Sequence, residues 1–149
     1  MRKVLYLAAP YSHTDPKICA ERAAATAFAA SILMTRYDFV VFAPTVQGHL
    51  IVDHLPLEQS ISHDFWMGQC LPMLQGANTL GVLKLPGWKG SLGVKHEWDF
   101  AVRNHIPIRE IEFFSHDVEH QQSIAAASGK FILPRPPFPL TNLTTRSTT

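Results

Sequence analysis

The feature that most constrains this chain is a rhythm of short, continuously apolar runs separated by longer segments of helical pattern. The first run, Val4 to Ala9, begins almost at the N-terminus and has no polar alternation. Such a run is the pattern of a strand covered on both faces, as in a parallel sheet between helices. Phe39 to Ala43 repeats it, as does Thr79 to Leu85; Ile106-Pro107-Ile108 fits a fourth strand and Ile111 to Phe114 a fifth.

The segments between are predicted helices. Thr14-Asp15-Pro16 offers an N-cap followed by proline at the first helical position, and Ile18, Ala25, Ala29, Ile32 and Leu33 fall along one face of a helix running to Arg36. Leu57 to Gln75 is helical with Gly68 and Pro72 predicting a break near its end, Leu92 to Asn104 is a further helix, and Val118 to Ala127 a last one. A loop holding Thr45, Gln47, His49, Asp53 and His54 is predicted after the second strand. Strands alternating with helices define an α/β protein: a flavodoxin-like or Rossmann-like doubly wound parallel sheet of about five strands, with helices on both faces. Ligands of such folds sit at the carboxyl ends of the strands, near the topological switch point. The loops after Ala9, Ala43 and Leu85 are therefore the ones to inspect.

A chain of 149 residues suits one domain with its own core. Residues 1–129 are expected to form that domain, and residues 130–149, with Pro134, Pro136, Pro137 and Pro139 followed by threonines, an arm over a neighbour or a disordered tail. Thirteen Lys and Arg against twelve Asp and Glu leave a net charge of +1, which gives no global electrostatic case for a nucleic acid polymer. Any phosphate must be held locally. Cys19 and Cys70 have no metal-ligand spacing and read as reduced core thiols. The opening apolar run is too short for a signal peptide, and no other segment is expected to reach membrane-spanning length. A cytoplasmic protein without membrane contact is expected. Its high apolar share, 46%, is consistent with a partner subunit covering part of the surface, in a homodimer or homotetramer.

The chemistry concentrates in Gly90-Ser91-Leu92-Gly93-Val94-Lys95-His96-Glu97. Ser91 is placed to cap the helix, and Gly93 in its first turn leaves room for an anion at the free backbone N–H groups. Glu97 follows Ser91 by six residues, roughly 9 Å along the axis at about 1.5 Å per residue. A nucleoside 5′-phosphate separates its phosphorus from the anomeric carbon by a comparable, somewhat shorter distance. Spacing alone is equally served by a helix cap and a solvated glutamate. Neither a Walker loop nor a Gly-x-Gly-x-x-Gly fingerprint is present. His49, Asp53 and His54 lie close in sequence but lack a metalloenzyme pattern, so no metal or other cofactor is expected; His49 is kept as a substrate contact. Trp66 and Trp88 either stack on a base or pack against helices.

The run Tyr6-Leu7-Ala8-Ala9-Pro10-Tyr11-Ser12, then Asp64, then Gly87 to Ala101 resembles the nucleoside 2-deoxyribosyltransferase-like superfamily over roughly residues 3 to 110. The resemblance is closest to a bacterial and phage group known as a domain of unknown function, and more distant to the deoxynucleoside 5′-monophosphate N-glycosidases. It implies that Glu97 is the nucleophile at the anomeric carbon, that Asp64 assists the leaving base or contacts the sugar, and that Tyr11 with Ser12 lines the sugar site. Ser91 and Gly93 would hold the 5′-phosphate. Asp99 stands where the superfamily often has glycine, and the first loop, Ala9-Pro10-Tyr11, also lacks one. The expected activity is hydrolysis or transfer at the N-glycosidic bond of a (deoxy)nucleoside 5′-monophosphate. The alternatives are an NAD-type dinucleotide glycohydrolase and a non-catalytic nucleotide-binding module.

Overall fold

The computed structural model describes residues 2–114 and 129–140. Strand β1 (Val4–Ala8) lies at the centre, with β2 (Val40–Phe42) on one side and β3 (Thr79–Leu83) on the other. Strand β4 (Ile108–Phe113) adds beside β3 and β5 (Phe131–Leu133) beside β4, all parallel, in the order β2-β1-β3-β4-β5. That is the flavodoxin-like, doubly wound order.

Strand alternation divides the core into two. Leu5, Leu7 and Ala9 point to one face and pack with Ala25, Ala29 and Leu33 of helix α1 (Pro16–Arg36). Tyr6 and Ala8 point to the other, against Cys70 and Leu74 of α4 (His63–Gln75) and Val94 and Ala101 of α5 (Leu92–Arg103). Helix α1 starts where its sequence predicts: Asp15 accepts a hydrogen bond from the Lys17 N–H, and Pro16 follows. Helix α5 ends in a left-handed residue, His105 at φ 55°, with Ile106 N–H donating to Ala101 O and His105 N–H to Val102 O, a Schellman cap built without glycine.

Several expectations are corrected. The segment after β2 is not a loop: Pro44 at its start and its turn-by-turn hydrogen bonding make α2 (Pro44–Ile51), followed by a 3-10 turn at Val52–His54. The helical stretch from Leu57 breaks early, between α3 (Leu57–Ser60) and α4, because the Ser62 side chain caps α4 by accepting from the Phe65 N–H. Pro72 lies inside α4, where packing of Cys70 and Leu74 on the sheet overrides its local preference. The predicted fourth and fifth strands are the single strand β4. Arg109 and Glu110 interrupt the apolar pattern, but Ile111 points into one core while Glu110 and Glu112 point to the other face and pair with Lys84 and Lys130. The last predicted helix, residues 118–127, lies outside the described residues.

The expected arm from residue 130 is corrected as far as it is described. Residues 131–133 form β5, and Leu133 and Leu140 are buried in the same cluster as Leu5, Leu83 and Ile111. Helix α1 also corrects the membrane reading, since its 21 residues have the length and composition of a span. Its apolar stripe is spent on the sheet instead, through Ala25, Ala29 and Leu33. Cys19 is only half-buried, its thiol directed at His13 O, whereas Cys70 is buried; both are unpaired.

Candidate active site

Helix α1 returns the chain to β2 across one face, and α4 returns it past β1 to β3 across the other, so the winding reverses between β1 and β3. The segments that leave those strands meet beyond their carboxyl ends. Arg22 ties them together: its guanidinium donates to Tyr11 O, Ser12 O and Pro86 O, at 3.3, 2.9 and 3.2 Å. Gly87 makes this possible. It has φ +90°, and a Cβ there would lie 2.7 Å from Arg22 Nη2. Thr45 adds a tie from α2, donating to Ala9 O at 3.2 Å.

From this junction a 3-10 turn at Trp88–Gly90 leads into α5, which Ser91 caps by accepting from the Val94 N–H at 3.3 Å. Two turns on, Glu97 is 5% exposed, the one buried carboxylate among the described residues. The helix places it on the inner side, towards Tyr6 of β1 and Cys70 of α4. Burial raises the Glu97 carboxyl from 4.5 to about 7, with the Tyr6 hydroxyl acting in the opposite sense. Tyr6 is itself pushed far above its ordinary value by burial and then by Glu97, and among the described residues its buried hydroxyl makes no hydrogen bond of good geometry. The Cys70 thiol is also raised by burial.

Glu112 provides the contrast. Burial raises that carboxyl too, but Lys84 at 2.6 Å and then Lys130 hold it below the usual carboxylate range. Among the described residues no cation pairs with Glu97. A buried acid without a counter-ion weakens a fold unless it is protonated, so its placement at a switch point marks a functional candidate.

The structure brings three of the predicted residues together. A Cβ on Gly93 would lie 3.9 Å from Glu97 Oε1, 3.9 Å from Ser91 Oγ and 3.8 Å from Met67 Cε. Gly93, Ser91 and Glu97 thus share one corner, roofed by the Met67 methyl from α4. These are ordinary contact distances, so glycine is not required there by packing.

A second group forms separately. The Tyr11 hydroxyl and His49 Nδ1 are 2.7 Å apart, with the rings edge-on. Burial, then Cys19 and Asp53, raise the Tyr11 phenol. Among the described residues neither Tyr11 nor Asp64 hydrogen-bonds to Glu97. Asp64 is exposed in the first turn of α4, one turn before Met67. Ser12 is exposed and contributes only its carbonyl. Trp88 packs against the core and stacks with Trp98, at a 6.4 Å ring separation. Two surface cavities, one beside α1 and one outside α5, are not lined by Glu97. Among the described residues no three His, Cys, Asp or Glu side chains converge on a metal position.

Tyr6 is the residue that sequence reasoning missed. Its signal was present: it is the only polar-tipped side chain in an otherwise apolar strand, and a buried tyrosine hydroxyl calls for a partner. The pair His63 and His96, joined ring nitrogen to ring nitrogen between α4 and α5, was also unforeseen.

A doubly wound α/β domain with a buried acid at the switch point is the class this geometry defines. Residues 2–113 match the family described as a domain of unknown function (DUF1937), and the chain belongs to that family. No curated protein matches it.

Proposed function

We propose that the protein cleaves the N-glycosidic bond of a (deoxy)nucleoside 5′-monophosphate, with Glu97 as nucleophile, as a member of the nucleoside 2-deoxyribosyltransferase-like superfamily. The observation that carries this reading is the buried Glu97 carboxylate in one corner with Ser91 and Gly93, at the opening of a helix that follows the central strands. In this reading the α5 N-terminus and Ser91 receive the phosphate. Ionised Glu97 attacks the anomeric carbon; the carbon–nitrogen bond breaks, its electron pair leaves with the base, which takes up a proton from water, and Asp64 contacts the departing base or the sugar. The glycosyl ester is then attacked by water, which restores the carboxylate and releases the sugar phosphate. A second base in place of water gives transfer.

Met67, whose methyl lies beside Gly93 in the same corner, has an unbranched thioether that adapts to a ligand at low cost. In this reading the Tyr11–His49 pair, which forms apart from the Glu97 corner, contacts the sugar, and Trp88 lies on the outer side of the cap. No cofactor takes part. The chemistry is placed in a cytoplasmic homodimer or homotetramer. Two unpaired cysteines support the compartment, and Leu57 and Ile61, 72% and 73% exposed on the α3 segment, support a second copy as cover. Sedimentation should find a dimer or tetramer, and a monomer at every concentration rejects that part.

Incubation with a panel of nucleoside monophosphates, monitored for free base, tests the reaction. Release of base by the parent and its loss in Glu97→Gln is the expected result. Turnover retained in Glu97→Gln rejects the mechanism, and nicotinamide release from NAD without base release from monophosphates transfers it to dinucleotides.

A further inference from the structure

A cavity on the outer side of α5 is separate from the corner just described. Trp88, Lys89, Val94, Lys95, Trp98 and Asp99 line it, and it encloses about 180 Å³. At about 100° per residue, the outward direction between Val94 and Asp99 points well away from Glu97, with Val94 between the two sites. The volume is below the about 300–1,000 Å³ of a pocket that engulfs a whole ligand, so it suits one ring system with the rest of the molecule at the rim.

The lining has three chemistries. Trp88 and Trp98, with rings 6.4 Å apart and 30° between planes, present indole surface. Lys89 and Lys95 are exposed and, among the described residues, make no ion pair, although Lys95 and Asp99 are four positions apart on one helix and could meet. Lys84 approaches the same Trp88 ring but is committed to Glu112 at 2.6 Å, which leaves Lys89 as the movable cation over that indole. Asp99 supplies an exposed acceptor. An aromatic platform fits a planar ring, two unpaired ammonium groups fit a phosphate, and a carboxylate fits an exocyclic amino donor.

We propose that this groove is a second ligand site, which binds a free adenine nucleotide with the base on the tryptophan pair, the amino group on Asp99 and the phosphate between Lys89 and Lys95. The site does not depend on the reaction assigned to Glu97. Its occupancy would bear on the 3-10 turn that leads into the Ser91 cap, since Trp88 and Lys89 belong to that turn.

The test is a titration of the full chain carrying Glu97→Gln, so that any turnover is suppressed, with AMP as the probe. Nuclear magnetic resonance observes the indole N–H signals of the chain's three tryptophans. Saturable shifts at Trp88 and Trp98 are expected, with Trp66 unmoved because its N–H is held by Ser60 O within the α3–α4 junction. The double variant Lys89→Glu/Lys95→Glu should weaken the shifts about tenfold or more, and IMP, which lacks the amino group, should bind more weakly than AMP. Absence of saturable shifts, shifts at Trp66 alone, or equal affinity in the double variant overturns the proposal. A 5′-phosphorylated oligo(dA) that binds more tightly than AMP overturns its assignment to a free nucleotide. Failure of base release in the parent leaves all these outcomes intact, so the two readings fail separately.

Discussion

Glu97 sets opposing demands on stability and on chemistry. Folding raises its carboxyl from 4.5 to about 7, so its favourable contribution is complete below about pH 4.5 and is lost as pH rises through about 7. That interval corresponds to about 3 kcal/mol once the group is fully ionised in the folded state. Glu97→Gln is neutral at every pH, so it should match the parent at about pH 5 and exceed its stability by about 1–3 kcal/mol near pH 8.5. Thermal unfolding at the two pH values checks this; equal stability at both would show that the carboxylate finds a hidden counter-charge. Base release should fall roughly a thousandfold or more in the same variant. Nucleophilic attack needs the ionised form, so kcat/KM of the parent should rise through a single apparent pKa near 7. Because the Tyr6 hydroxyl lowers the Glu97 carboxyl, Tyr6→Phe should move that limb to higher pH. A limb that stays in place separates Tyr6 from the titration. The spacing of Ser91, Gly93 and Glu97 was legible because all three lie within two turns of one helix, and the resemblance, not the spacing, singled them out. Tyr6 and Glu97 belong to distant segments, and Tyr11 meets His49 across 38 positions, so no local spacing announces either contact.

Elements were legible where backbone and side chain agreed locally. The Asp15 cap with Pro16 fixed the start of α1, and the Ser91 cap that of α5. Segments governed by tertiary contacts were not: α2 has no buried residue to give it a readable stripe, and β5 is three residues among prolines, visible only as the partner of β4. The junction at Gly87 shows how such contacts govern the site. Alanine there takes on a left-handed conformation costing about 1–2 kcal/mol, and its Cβ meets Arg22 Nη2 at 2.7 Å. Gly87→Ala should therefore lower stability by about 2 kcal/mol and lower base release as well, because Arg22 ties the segments after β1 and β3. Denaturant unfolding with a base-release assay measures both. A variant with lower stability and normal turnover at a temperature where it is folded would show that the Arg22 tie does not align the site. Conversely, His105 holds a left-handed position at which glycine is cheaper, so His105→Gly should raise stability by about 0.5–1 kcal/mol.

At the scale of the molecule, the two cores differ in what completes them. The face that carries Glu97 is covered by α4 and α5, both within residues 2–113 that match the family. The opposite face is covered by α1 and by residues near the C-terminus, beyond that match: Leu133 is fully buried and Leu140 8% exposed, packed with Leu5, Leu83, Leu85 and Ile111. Proline content made this segment read as an arm, because composition records what a chain avoids locally and not which surface is left for it to cover. Packing predicts the opposite of an arm. A buried leucine truncated to alanine costs about 2–5 kcal/mol, whereas a substitution on a solvated arm stays within about 0.5 kcal/mol. Leu140→Ala should fall in the first range, and deletion of residues 130–149 should remove β5 together with both leucines, a loss comparable to the whole 5–15 kcal/mol that holds an ordinary domain. Circular dichroism of the truncated chain should show no cooperative thermal transition. A sharp transition there, with Leu140→Ala unfolding like the parent, would return the segment to the status of an arm and leave α1 to cover its face of the sheet without help from the C-terminal end.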